Sequence, residues 1–189
     1  MENVPFLSIT IFLPILGALA IMLMIHGDEE KIRSNVRNTA MLTTLATFVW
    51  SIFLWFKFDR GAKGYQFVEK IEWIKGYDIS YHLGADGLSL VLILLTTFLM
   101  PICILASWNI TQRIKEYMIA FLLMEGIVIG VFAALDMVLF YLFFEAVLIP
   151  MFLIIGIWGG DNRVYAAFKF FLYTLIGSVL LLIAMLYMY

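Results

Sequence analysis

The chain has 189 residues, 64% of them hydrophobic and only 14% charged, whereas soluble domains carry close to a quarter charged residues. That excludes a soluble globule and makes this an integral membrane protein. Its 12 basic and 14 acidic residues nearly cancel and fall mostly between apolar runs, so no basic patch points to nucleic acid. The single cysteine, Cys103, excludes an internal disulfide and any cysteine-rich metal or cluster site built from this chain alone.

Six apolar stretches are long enough to cross a bilayer: residues 5–25, 39–56, 88–108, 117–135, 137–158 and 164–189. They are uniformly apolar and about twice the length of a barrel strand, so the expected fold class is all-α, a polytopic membrane protein of about six transmembrane helices. The first stretch contains Gly17-Ala18-Leu19-Ala20, a faint signal-peptidase pattern, but no lysine or arginine precedes it. It is expected to be a retained span. Lys31, Arg33 and Arg37 in the first loop, with Arg113 and Lys115 in the third, favour those loops in the cytoplasm and the N-terminus outside. Arg60, Lys63, Lys70 and Lys75 in the second loop run against that assignment.

The second loop alternates apolar and polar residues: Tyr65, Phe67, Ile71 and Trp73, then Tyr77, Ile79, Tyr81 and Leu83 interleaved with Asp78, Ser80 and His82. The pattern fits a short extramembrane β-hairpin turning about Lys75-Gly76, or an amphipathic loop on the membrane surface. Either form offers apolar side chains to a neighbour. Asp86, followed by Gly87, reads as the cap of the third helix.

Between Tyr117 and Trp158 the only charges are Glu125, Asp136 and Glu145, and the segment is too long for one crossing. The chain is therefore expected to turn near Asp136, a position with no demanding role of its own. Glu145 then falls near the bilayer midplane, where an ionisable group costs at least about 2.5–3.5 kcal/mol and marks a functional residue that needs a partner, a proton or water. Folding the hairpin at Asp136 puts Glu125 within roughly 3 Å of the same depth at ~1.5 Å per residue. Two carboxylates close together in a low dielectric cannot easily both ionise, so the pair is a candidate site for holding and releasing a proton. The alternative is that one or both stay protonated and only bond a neighbouring helix. Pro150 cannot donate to the carbonyl of Ala146 and leaves an acceptor beside Glu145, fit for a hydrated kink or for an ordinary one. Lys169 is expected to snorkel to the interface, since folding back the last span sets it level with about Phe152 and roughly 10 Å in depth from Glu145. His26 and His82 lie at span ends or in loops with no ligand spacing, so no metal is expected. No phosphate-binding loop and no nucleophile–base pair is present in the sequence.

The run Leu135-Asp136-Met137 through Phe144-Glu145-Ala146 to Pro150-Met151, with Gly156-Ile157-Trp158-Gly159-Gly160, resembles the antiporter-like subunit M, called subunit 4 in mitochondria, of proton-pumping NADH:quinone oxidoreductase, respiratory complex I. Asp86-Gly87-Leu88-Ser89 leading into Thr96-Thr97-Phe98-Leu99 and Lys169-Phe170-Phe171-Leu172-Tyr173 agree with it. The resemblance implies that Glu145 is the family's fifth-helix glutamate, which helps move protons during quinone reduction. Glu125 carries no equally firm family role and enters as a candidate relay. It further implies no cofactor on this chain, with NADH, flavin, iron–sulfur clusters and quinone belonging to the wider complex. The implied partners are other membrane-arm subunits and the lipid bilayer, with no nucleic acid. The implied location is the bacterial inner (plasma) membrane or, alternatively, the mitochondrial inner membrane.

In the family's terms residues 1–116 form an N-terminal three-helix segment with the loop 57–87, and residues 117–189 the first three helices of an antiporter-like repeat. The family's later lysines, which pair with the glutamate, have no counterpart here, so the chain is expected to be an N-terminal portion and not to pump alone. A subunit of a multisubunit cation/proton antiporter, or an inactive structural fragment, are the alternatives.

Overall fold

The computed structural model describes residues 4–23, 29–62, 64–74, 76 and 79–188. Its elements run α1 (Phe6–Leu23), α2 (Glu29–Lys57), β1 (Gln66–Ile74), β2 (Ile79–Ala85), α3 (Gly87–Ala106), α4 (Ile114–Ala133), α5 (Met137–Ala146), α6 (Leu148–Trp158) and α7 (Arg163–Met188). With α5 and α6 forming one crossing from Met137 to Trp158, six helical spans are long and apolar enough for a bilayer. The expected all-α membrane architecture with a hairpin between helices 2 and 3 is what the chain adopts. His26, Lys63, Lys75, Tyr77 and Asp78 lie outside the described residues.

One boundary differs from the sequence expectation. The second helix begins about ten residues earlier than its apolar run, because Glu29 to Asn38 holds good helix formers and neither glycine nor proline. The polar extension and the apolar run form one continuous helix. Arg37 on this extension donates to the Ile110 carbonyl at 3.1 Å and lies over the Trp108 ring at 5.7 Å. It ties α2 to the α3–α4 loop, so a residue read first for its charge also pins a connection.

The strands pair antiparallel, Glu69 with Leu83, Lys70 with His82 and Ile71 with Tyr81, with irregular register at both ends. At one of these bulges Phe67 takes a φ of 54°, which a bulky residue rarely adopts. The bend sets its ring edge-on to Phe6 at 5.6 Å. The hairpin is thereby docked onto the bundle. Glu69 accepts from the backbone N–H of Leu7 at 2.7 Å and from the Ser8 hydroxyl, which itself lies 3.0 Å from the Tyr81 hydroxyl. Since α1 has no acidic residue in its own first turn, its open N–H groups are capped from the hairpin.

The centre of the bundle is α4, packed against α1, α2, α3, α5 and α6. Buried apolar side chains form two clusters. One, toward the hairpin, includes Leu7, Leu54, Ile93, Ile129 and Ala133. The other, at the opposite end, includes Ile21, Val36, Ile104, Met118 and Leu122. Between them along the helices lie Thr44, Thr47, Ser51, Thr97 and Glu125, each with no exposed surface. The hydroxyls satisfy themselves, mostly on carbonyls three or four residues back, with Ser51 and Thr97 also paired at 2.7 Å. The bundle thus has a thin polar layer at mid-depth.

Candidate functional site

Glu125 belongs to that layer. It sits on α4 between Leu122 of one apolar cluster and Ile129 of the other, and neither carboxyl oxygen has a hydrogen-bond partner. Its neighbour Gly126 explains why it is so enclosed. A Cβ there would stand 2.6 Å from the Ile11 carbonyl oxygen, so α1 and α4 meet backbone to backbone beside the glutamate. A buried, unpaired carboxyl costs free energy. Here it stands beside a close backbone contact between α1 and α4.

Glu145 lies near the end of α5, at a different kind of position. The helical ladder is interrupted at Val147, which keeps helical dihedrals of −60° and −30° while the flanking bonds Val147 N–H to Phe143 and Met151 N–H to Val147 stretch to 3.3 Å. Pro150, with no N–H, is the sequence cause of that loosening. Pro150 also borders a groove of about 460 Å³ with Met22, Ile119, Leu123 and Leu153, and with Lys115 and Glu116 among its lining residues. Glu145 is half-buried. Its Oε1 accepts from the Ser178 hydroxyl of α7 at 3.1 Å, and its Oε2 is enclosed without a partner.

The two glutamates are not hydrogen-bonded to each other. Gly130 faces the Phe143 ring across the α4–α5 contact, where a Cβ would come within 2.7 Å, and this register keeps Glu125 and Glu145 within about one helical turn of the same depth. They differ in facing: Glu125 is held among α4's inner neighbours, Glu145 turns toward α7. The partner of Glu145 was missed by sequence reading. Ser178 is a small hydroxyl inside an apolar span, common enough to pass unnoticed until the α7 register is fixed.

That register was legible. Phe152 packs edge-on between Phe168 and Phe171 at 5.4 and 5.6 Å, which sets Lys169 near the level of Phe152, away from Glu145. Lys169 is exposed with its ammonium 5.9 Å from the Tyr165 ring one turn back on the same helix. Asp86 caps α3 as expected, accepting from Ser89 N–H at 2.7 Å, and this bond holds its carboxyl below the usual range.

Asp136 does more than the sequence showed. It caps α5 by accepting from Val138 and Leu139 N–H at 2.9 and 3.1 Å, and its second oxygen accepts from Ser80 N–H of β2 at 3.2 Å. With Leu135 N–H donating to the His82 carbonyl at 2.8 Å, the hairpin is bonded to the turn that carries Glu145's helix. His82 contributes backbone to this joint. Among the described residues no cluster of three histidine, cysteine or acidic side chains could hold a metal ion.

Residues 134–189 match the family described as NADH:quinone oxidoreductase/Mrp antiporter, TM. The chain is 53% identical over its whole length to NADH-quinone oxidoreductase subunit M of Rhodobacter capsulatus, covering 36% of that protein. To subunit M of Rickettsia typhi it is 47% identical, over 100% of this chain and 39% of that one. To NADH-ubiquinone oxidoreductase chain 4 of Marchantia polymorpha it is 46% identical, over 97% of this chain and 37% of that one. The chain therefore spans little more than a third of the length of these relatives. A chain of the respiratory complex I structure from Thermus thermophilus with bound NADH superposes with a TM-score of 0.79 at 28% identity, over 95% of this chain and 35% of that one. Residues 9–133 match the family described as NADH-ubiquinone oxidoreductase chain 4, amino terminus, and the chain belongs to that family.

Proposed function

We propose that this chain serves in the membrane arm of a proton-translocating NADH:quinone oxidoreductase, where it takes part in moving protons coupled to quinone reduction. The observation that carries the reading is Glu145: an intramembrane carboxylate at an interrupted helix, one oxygen bonded to Ser178 and the other enclosed without a partner. Ionisable groups with incomplete pairing at this depth mark ion and proton pathways. Glu145 is the proton-carrying residue and Glu125, unpaired in the adjacent polar layer, a relay. Residues 117–189 act as the first helices of an antiporter-like repeat, and residues 1–116 as the segment that supports it.

The chain performs no redox chemistry. NADH, flavin, iron–sulfur clusters and quinone reside on other subunits, and the protein works as a multi-pass component of a bacterial plasma membrane. A mitochondrial inner membrane is the alternative, supported by the likeness to plant chain 4 proteins. The exposed Tyr65, Val68, Ile71 and Trp73 of the hairpin suit contact with a neighbouring membrane-arm subunit. The start of α2, which carries Lys31, Arg33 and Arg37 at the end of the bundle opposite the hairpin, faces the cytoplasm by these basic residues.

Intact membrane complexes resolved under native conditions test this. The chain is expected to migrate with an NADH-oxidising assembly. Recovery of the chain only as a free species would overturn the assignment. The family description shared with Mrp antiporters favours one second reading, a cation/proton antiporter subunit. Sodium-dependent proton exchange in membranes where the chain accompanies no NADH-oxidising activity would establish that instead.

A further inference from the structure

The inward stripe of α7 runs through Ala167, Phe171, Thr174, Ser178 and Met185, with Ala167, Ser178 and Met185 buried. Ser178 is 1% exposed and lies within reach of two acceptors. Its Oγ is 3.1 Å from Glu145 Oε1 and 2.9 Å from the carbonyl oxygen of Leu175 on its own helix. A serine hydroxyl has one proton to donate and two lone pairs to accept with. It cannot donate to both oxygens at once.

We infer that Ser178 is a positioning residue for Glu145 whose hydroxyl switches acceptor with the proton on that carboxyl, an inference that rests on the proton-carrying role proposed above. When Glu145 is ionised, the Ser178 O–H donates to Oε1, a charge-assisted bond that holds the carboxylate toward α7. When Glu145 takes up a proton, its own O–H donates to Ser178 Oγ and the Ser178 O–H turns to the Leu175 carbonyl. Every donor has an acceptor in both states. No proton leaves the serine; only the direction of the chain of hydrogen bonds reverses.

The geometry supports this over the common alternative, in which a membrane-helix serine merely bonds back to its own helix. A self-satisfied serine needs only the Leu175 carbonyl. Here the same oxygen also meets the one intramembrane carboxyl oxygen of the α5–α7 contact that has a partner, while Oε2 has none. Leu175 is three residues back, so its carbonyl keeps its place in the helix whichever way the hydroxyl points.

The test uses the full chain in its native membrane assembly, with S178A, S178T and E145Q compared for chain abundance, proton translocation rate and the infrared carbonyl band of the protonated Glu145 carboxyl. The band is assigned by its disappearance in E145Q. S178A removes one oxygen and keeps the helix, so abundance is expected to stay unchanged while translocation falls by about tenfold, the scale of one hydrogen bond to a charged group. S178A is also expected to displace the carbonyl band, and S178T, which retains a hydroxyl, to restore both rate and band. A band unmoved in S178A overturns the inference, even if the rate falls, because it shows that the hydroxyl does not touch the carboxyl. An S178A rate equal to wild type overturns the positioning role. A displaced band in S178A together with full translocation in E145Q would instead defeat the proton-carrying role of Glu145 and leave the hydrogen bond standing.

Discussion

Glu125 and Glu145 lie at similar depth on adjacent spans, and their surroundings set different tasks. Glu145 has a hydroxyl partner and a loosened backbone beside it, whereas Glu125 has two unpartnered oxygens and is fully buried in the bundle. If Glu125 were only structural, the polar layer of Thr47, Ser51 and Thr97 would be better closed by an apolar side chain. Glu125→Met keeps the volume and removes the unsatisfied group, so it is expected to stabilise the folded chain by about 1–3 kcal/mol while slowing proton translocation. Thermal denaturation in detergent and proton uptake in vesicles check the two halves. A variant more stable and equally fast would show that Glu125 plays no part in transport.

Among the elements, the hairpin does most to orient the others. Glu69 caps α1, Asp136 receives Ser80 N–H while capping α5, and β2 leads directly into the Asp86 cap of α3. Three helices therefore have their starts fixed at one end by carboxylates, where the helix dipole favours negative charge. For Asp86 the sign of the pH dependence follows from its bonds. The Ser89 N–H holds the folded carboxyl below its ordinary value, so its contribution to stability is complete above the unfolded pKa and disappears as pH falls through the folded one. Asp86→Ala is expected to cost about 1 kcal/mol at neutral pH and to approach wild type in acid, as pH falls through the folded carboxyl's pKa. Denaturation curves at the two pH values read this directly. A deficit in Asp86→Ala that persists undiminished in acid would mean that the cap is not electrostatic.

At the scale of the whole molecule, the sequence carried the crossings and the intramembrane acids, because apolar length and lone charges are properties of residues taken one at a time. The alternation in residues 65–83 fitted a hairpin or a surface loop, and the chain adopts the hairpin; the turn at Asp136 followed from an apolar segment too long for one crossing. What stayed hidden depends on rotation and docking. Ser178 could be paired with Glu145 only once α7's inward face was known, and Glu69 reaches Leu7 across 62 residues of chain. The double use of Asp136 was equally invisible, since capping of α5 explains the residue without its bond to β2. Glu125 and Glu145 make no hydrogen bond to each other, because the hairpin turn fixes height along the bundle and leaves each helix's rotation to its other neighbours.

The central claim is that Glu145 carries protons, and the proton yield per NADH oxidised in sealed membrane vesicles tests it most directly. E145Q, which keeps size and hydrogen-bonding capacity but cannot exchange a proton at neutral pH, is expected to lower both the yield and the coupled rate of quinone reduction with the assembly intact. An intact E145Q assembly with the wild-type yield and rate would contradict the account.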